Sequence, residues 1–205
     1  MDFSIVIVQF VVFIFSVIIH EISHGYIAEI LGDDTARREG RLTLNPISHI
    51  DPIGSVLLPL FLYFSHLPII GWAKPVPYNP YNLKNPKMGA GFIAFAGPIS
   101  NIVFASLFAL TLRGLNSVGI ENPVVILLFN NIIIINVALA IFNLVPIPPL
   151  DGSKVLFALL PHTLIEVQYF LEQYSMILFL LFVFFGFQFI EPLINFILNV
   201  LMFHR

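Results

Sequence analysis

The stretch VIIHEISHGYIAEILG, from Val17 to Gly32, decides the fold. It closes an apolar run, FSIVIVQFVVFIFSVII, that approaches the roughly 20 apolar residues a membrane helix needs. Yet it carries His20, Glu21 and His24 in the pattern H-E-x-x-H. Ionisable groups are costly in hydrocarbon and mark function when they occur there. On a helix, residues i and i+4 share a face, so both imidazoles can address one ion. Glu21 sits one position along, poised to take a proton from water. Two histidines on one turn, a third ligand from elsewhere and an open position for water make up a catalytic zinc site. The plainer reading is a set of buried polar residues tying helices together. Three ionisable groups within five residues argue against it.

Composition points the same way. Of 205 residues, 58% are hydrophobic and only 10% charged, with a mean hydropathy of +0.94. Soluble domains carry about 25% charged residues. Lipid must therefore be the solvent for much of this chain, which reads as a polytopic membrane protein forming a single domain, 1–205, with no appended soluble domain. The absence of cysteine excludes disulfides, thiolate ligands and thiol nucleophiles. A net charge of -3 carries no nucleic-acid signature. The N-terminal MDFSIV lacks the basic start of a cleavable signal peptide, so the first apolar run is expected to remain.

The expected fold is all-α, with about four to six transmembrane or re-entrant helices and a short β element, RLTL, after the first span. That span covers Phe3 to Leu31. Ser55 to Trp72 is short and interrupted by Pro59, His66 and Pro68, and reads as a re-entrant hairpin. AKPVPYNPYNLKNPK is too proline-dense for helix. Two clear spans follow, Gly89 to Leu112 and Pro123 to Val145, and the last apolar stretch is Tyr174 to Phe203. Arg37, Arg38 and Arg41 after the first span, with Lys74, Lys84 and Lys87, mark the cytoplasmic side. The N-terminus is then outside, and Asp151 and Lys154 fall at the cytoplasmic depth of His20 and His24.

A third ligand is sought among the acids near that level: Glu29, Asp33, Asp34, Glu39, Asp51 and Asp151. The first four look like solvated link charges. Asp151 stands alone in FNLVPIPPLDG, where its other reading is the N-cap of a following helix. His49 and Asp51, in SHIDPIG, read mainly as structural, with Asp51 as a cap. Lys74 reads as an interfacial side chain. His66, His162 and His204 are isolated and receive no role.

HEISHG together with NLVPIPPLDG resembles the site-2 protease family of intramembrane zinc metalloproteases. AGPISN (Ala96 to Asn101) and GWAKPVPYN (Gly71 to Asn79) support the likeness, and LNPISHIDPIGS (Leu44 to Ser55) is similar to the small bacterial and archaeal branch. The likeness runs from Ile19 to Lys154. It implies His20, His24 and Asp151 as ligands of one Zn2+ and Glu21 as general base. It also implies Asn101 and Asn143 beside the site, holding substrate backbone or stabilising the oxyanion. Neither the PDZ or CBS domain nor the additional leading span of many relatives is expected from this sequence. The resemblance implies a peptidase of the plasma membrane that cuts transmembrane protein substrates near the cytoplasmic face, in regulated proteolysis or signal-peptide clearance. The competing reading is a zinc-handling transporter, against which stands the gathering of ligands at one depth. Oligomeric state and substrate are not legible.

Overall fold

The computed structural model describes residues 3–57, 60–61, 64–65 and 73–202. Helix α1 spans Phe3–Ile30 and is followed by a single turn, α2, at Thr35–Arg38. Helices α3 (Pro86–Ser117) and α4 (Pro123–Asn143) come next, then the short α5 (Asp151–Leu159) and α6 (Ile165–Gln173). The last run, α7, is continuous over Ser175–Met202, with one π-helical turn at Phe182–Gly186. Among the described residues α1, α3, α4 and α7 are long and apolar enough to cross a membrane. Most of the Ser55 to Trp72 hairpin lies outside the described residues, as do His66 and His204.

Helix starts follow local chemistry. Asn85 caps α3 by accepting the Met88 N–H at 3.1 Å, and Asn122 caps α4 by accepting that of Val124 at 2.9 Å. Each is followed by proline, which needs no N–H partner in the first turn. The core joins three spans: Ala105 and Ala109 of α3, Ile133, Val137 and Ile141 of α4, and Ile194 of α7. Small side chains on α3 let α4 approach closely where lipid offers no hydrophobic drive. Large apolar side chains such as Phe10 and Phe189 face outward, as a lipid solvent requires.

The expected β element is not formed: RLTL, residues 41–44, has no strand character, and no strand occurs among the described residues. Its polar groups are drawn into turns and side-chain contacts instead of a ladder. The Thr43 carbonyl accepts from His49 Nε2 at 2.8 Å, and Thr43 Oγ1 accepts the Asn45 N–H at 3.2 Å. The contact across to residues 73–79 is made by a side chain, Arg41, whose Nη2 donates to the carbonyls of Lys74 and Pro75 at 2.7 and 3.2 Å.

The proline-rich link is strapped to the end of α1. Fully buried Asp33 accepts the Asn79 N–H and the Asn82 side-chain amide, both at 2.7 Å. The Lys74 N–H donates to the His49 carbonyl at 2.9 Å. Asp51 accepts from the N–H groups of Ile53 and Gly54, the expected cap. Residues 73–79 have no regular element of their own.

Candidate metal centre

His20 and His24 stand one turn apart on α1, ring centroids 4.6 Å apart and planes perpendicular. Asp151, the first residue of α5, reaches both: its Oδ2 lies 2.9 Å from His20 Nε2 and 3.2 Å from His24 Nε2. All three side chains are buried. Asp151 does not cap α5, whose N-cap is Leu150 with no side-chain bond. Its other oxygen is 3.9 Å from Lys154 Nζ. Glu21 completes the group, its carboxylate and the two imidazoles offering atoms within 4.8 Å of one another. Glu21 Oε2 accepts the Val76 N–H at 2.9 Å.

Two glycines make room. A Cβ at Gly97 of α3 would stand 2.5 Å from the His20 ring and 2.6 Å from that of His24. A Cβ at Gly152 would collide with the carbonyl of Leu144, where the chain turns from α4 into α5. AGPISN and PPLDG therefore carry glycine for space.

The histidine tautomers follow from what the other ring nitrogens meet. His24 Nδ1 lies 2.6 Å from the Ile93 carbonyl, which only accepts, so Nδ1 carries the proton. His20 Nδ1 lies 2.6 Å from Asn101 Oδ1. The Asn101 amide is oriented by its nitrogen, which donates to the Ser16 carbonyl at 3.1 Å and to Asn136 Oδ1 at 2.8 Å. Asn136 is oriented in turn, its nitrogen donating to the Ile132 carbonyl and Ser16 Oγ, both at 2.8 Å. Ser16 Oγ donates to the Val12 carbonyl at 2.8 Å. Backbone carbonyls thus set the direction of the whole chain, and His20 also holds its proton on Nδ1.

In their neutral form both imidazoles turn Nε2 lone pairs toward one carboxylate oxygen, 2.9 and 3.2 Å away. Three electron-rich atoms so close repel unless a positive charge stands among them. Two imidazole nitrogens and one carboxylate suit zinc, and imidazoles steadied through Nδ1 are its usual ligands. The donor set fits the ion.

Asn143 is not joined to this group. It is half-buried at the end of α4, its nitrogen donating to the Leu139 carbonyl of its own helix at 3.0 Å. Asn101 is fully buried, with its amide engaged by His20, Ser16 and Asn136. Ser16 and Asn136 were not legible as part of the site. The available signal was the four-residue spacing of Ser16, His20 and His24 on one face of α1.

The chain is 35% identical over 190 residues to "Putative zinc metalloprotease YwhC" of Bacillus subtilis (strain 168), covering 90% of this chain and 81% of that protein. It belongs to the site-2 protease family. Residues 118–185 match the family described as Peptidase family M50. "Putative zinc metalloprotease Rip2" of Mycolicibacterium smegmatis is 31% identical over 156 residues, 75% of this chain and 56% of that protein. No solved structure matches. As a site-2 protease the chain is a zinc-dependent metalloendopeptidase and a multi-pass membrane protein, with four apolar helices suited to a bilayer.

Proposed function

We propose that this site-2 protease hydrolyses peptide bonds within transmembrane segments of membrane-protein substrates near the cytoplasmic face. The observation that carries the reading is the convergence of His20 and His24 on Asp151 Oδ2, with the Glu21 carboxylate beside them. In this reading His20, His24 and Asp151 hold one zinc ion, and residues 1–205 act as a single catalytic domain. Zinc, when held there, polarises a carbonyl and lowers the pKa of water to about 7. Glu21 takes the proton of the attacking water and hands it to the departing amine nitrogen. The Val76 N–H keeps its carboxylate aimed at that task. Asn101 holds His20 in the ligating tautomer. Asn143, whose amide oxygen has no hydrogen-bond partner among the described residues, is assigned to the substrate backbone or the oxyanion.

The basic residues of the links support an outside N-terminus and a site open to the cytoplasm across the plasma membrane. A site at that end draws water without crossing hydrocarbon. The products are then a cytosolic fragment, as in regulated intramembrane proteolysis, or the remnants of a signal peptide. Glu21→Gln tests the reading: zinc should stay at one ion per chain while cleavage of a transmembrane substrate in proteoliposomes is abolished. Cleavage by that variant would remove Glu21 as the base. Full zinc retention by Asp151→Ala would remove Asp151 from the ligand set.

A further inference from the structure

Helix α7 carries a polar stripe that the fold leaves uncovered. Gln188, Glu191, Asn195 and Asn199 follow at spacings of three and four, which keeps them on one face. All four are exposed. The packed face of α7 is another one, where Ile190, Ile194, Ile197 and Leu201 meet α3 and α4. With 3.6 residues per turn, the stripe borders that face, whose packed edge beside Glu191 is made by Leu198 and Met202. Gln188 donates to its own helix at the Phe185 carbonyl, 3.1 Å away. The other three have no hydrogen-bond partner among the described residues.

Depth makes this costly. The 28 residues of α7 extend about 42 Å at a rise of about 1.5 Å per residue, against a hydrocarbon core of about 30 Å. Glu191 stands just past the midpoint. Gln188 and Glu191 facing lipid at that depth are strongly disfavoured, and Asn195 and Asn199 follow toward the headgroups. The neighbouring exposed flank of the same helix is made of Phe189 and Phe196, as a lipid-facing surface should be. The stripe therefore calls for another helix.

A second copy of the chain fits it. Two copies share one orientation in the bilayer, so α7 helices meeting about a two-fold axis along the membrane normal bring each stripe residue to its own equivalent at equal depth. Such a contact must be self-complementary. Gln188, Asn195 and Asn199 meet that demand, since each amide both donates and accepts. Glu191 does not meet it as a charged pair facing its own equivalent, but it lies between Gln188 and Asn195, whose amides offer donors to it across the interface. We propose that the face formed by Gln188, Glu191, Asn195 and Asn199 is a dimerisation surface through which two copies associate within the membrane.

The chain has no cysteine, so single cysteines report the contact without background. Full-length protein carrying Asn195→Cys or Asn199→Cys, oxidised mildly in native membranes, should form a disulfide-linked homodimer. Phe189→Cys and Phe196→Cys, on the other exposed flank, should remain monomeric. Equal cross-linking from both flanks, none from the stripe, or cross-linking to a different protein would each overturn the proposal. In a second measurement, single-molecule photobleaching in lipid vesicles compares the native chain with a variant bearing Gln188→Leu, Glu191→Leu and Asn195→Leu. These changes face lipid and leave the packed face intact. The association constant should fall about tenfold or more; an unchanged dimer fraction refutes the stripe as the interface.

Discussion

Glu21 and Val76 are joined by a 2.9 Å hydrogen bond from the Val76 N–H to Glu21 Oε2, across 55 positions of sequence. The acidic side chain beside the two imidazoles is thus aimed by a backbone group of the proline-rich strap. Val76→Pro removes that donor while remaining in a segment already rich in proline. A hydrogen bond to a charged group is worth about 1.5–3 kcal/mol. Cleavage should fall about tenfold or more with zinc content unchanged, as measured by substrate turnover and metal analysis on one preparation. Native turnover in Val76→Pro would separate the strap from catalysis.

Gly97→Ala sets helix propensity against the site. Alanine stabilises a helix interior by about 1 kcal/mol over glycine, but here its Cβ would stand 2.5 Å from the His20 ring. The imidazoles must move, so zinc retention should drop while α3 stays folded. Dialysis against a chelator, with helicity followed by circular dichroism, distinguishes this outcome from general unfolding.

Asn101 and Asn136 should affect zinc binding without touching the ion. Asn101→Leu frees the His20 tautomer and should weaken zinc affinity by about 10–100-fold, the usual effect of losing a residue that orients a ligand. Asn101→Asp keeps an acceptor for His20 Nδ1 and should retain more affinity than the leucine variant. Asn136→Leu, one step removed, should cost less than Asn101→Leu. Because the two residues share one chain of bonds, their effects should fall short of additive in the double variant. Equal affinity in all variants would disprove this assignment.

Asp33 gives the fold an acid limit. Burial by itself pushes its carboxyl up, but hydrogen bonds from Thr35, Asn79 and Asn82 hold it below the ordinary carboxylate value. A group depressed in the folded state stabilises it above the unfolded pKa of about 4 and loses that contribution as pH falls through the folded value. Thermal unfolding measured from pH 7 to pH 3 should show the native chain losing stability at the acid end. Asp33→Asn should be less stable at pH 7 and flatter with pH. A parallel decline in both would exclude Asp33 as a source of the acid sensitivity.

Residues assigned to the proposed chemistry are legible because few types can do it. His20, Glu21 and His24 announce themselves by helical spacing, and Asp151 by its isolation. The long helices are legible for a different reason: an unbroken apolar run in a chain this poor in charge has nowhere to go but lipid. RLTL misleads because alternating apolar residues describe a strand only where a partner offers a ladder, and here side chains take up its polar groups. Ser16 and Asn136 escape notice for a third reason. An amide or hydroxyl in a span looks the same whether it fastens two helices or steers a ligand, and the distinction lies in contacts 85 and 35 positions away in sequence, both made by Asn101.

The strap from Lys74 to Asn79 also differs from an ordinary edge. Pro75 and Pro77 have no N–H to give, and those of Lys74, Val76 and Asn79 already point inward to His49, Glu21 and Asp33. A second extended chain laid along it would find mainly acceptors, so two-way zippering is closed off. On the proposed function, the rim of the site can then admit unwound polypeptide without becoming a place where stray strands stick.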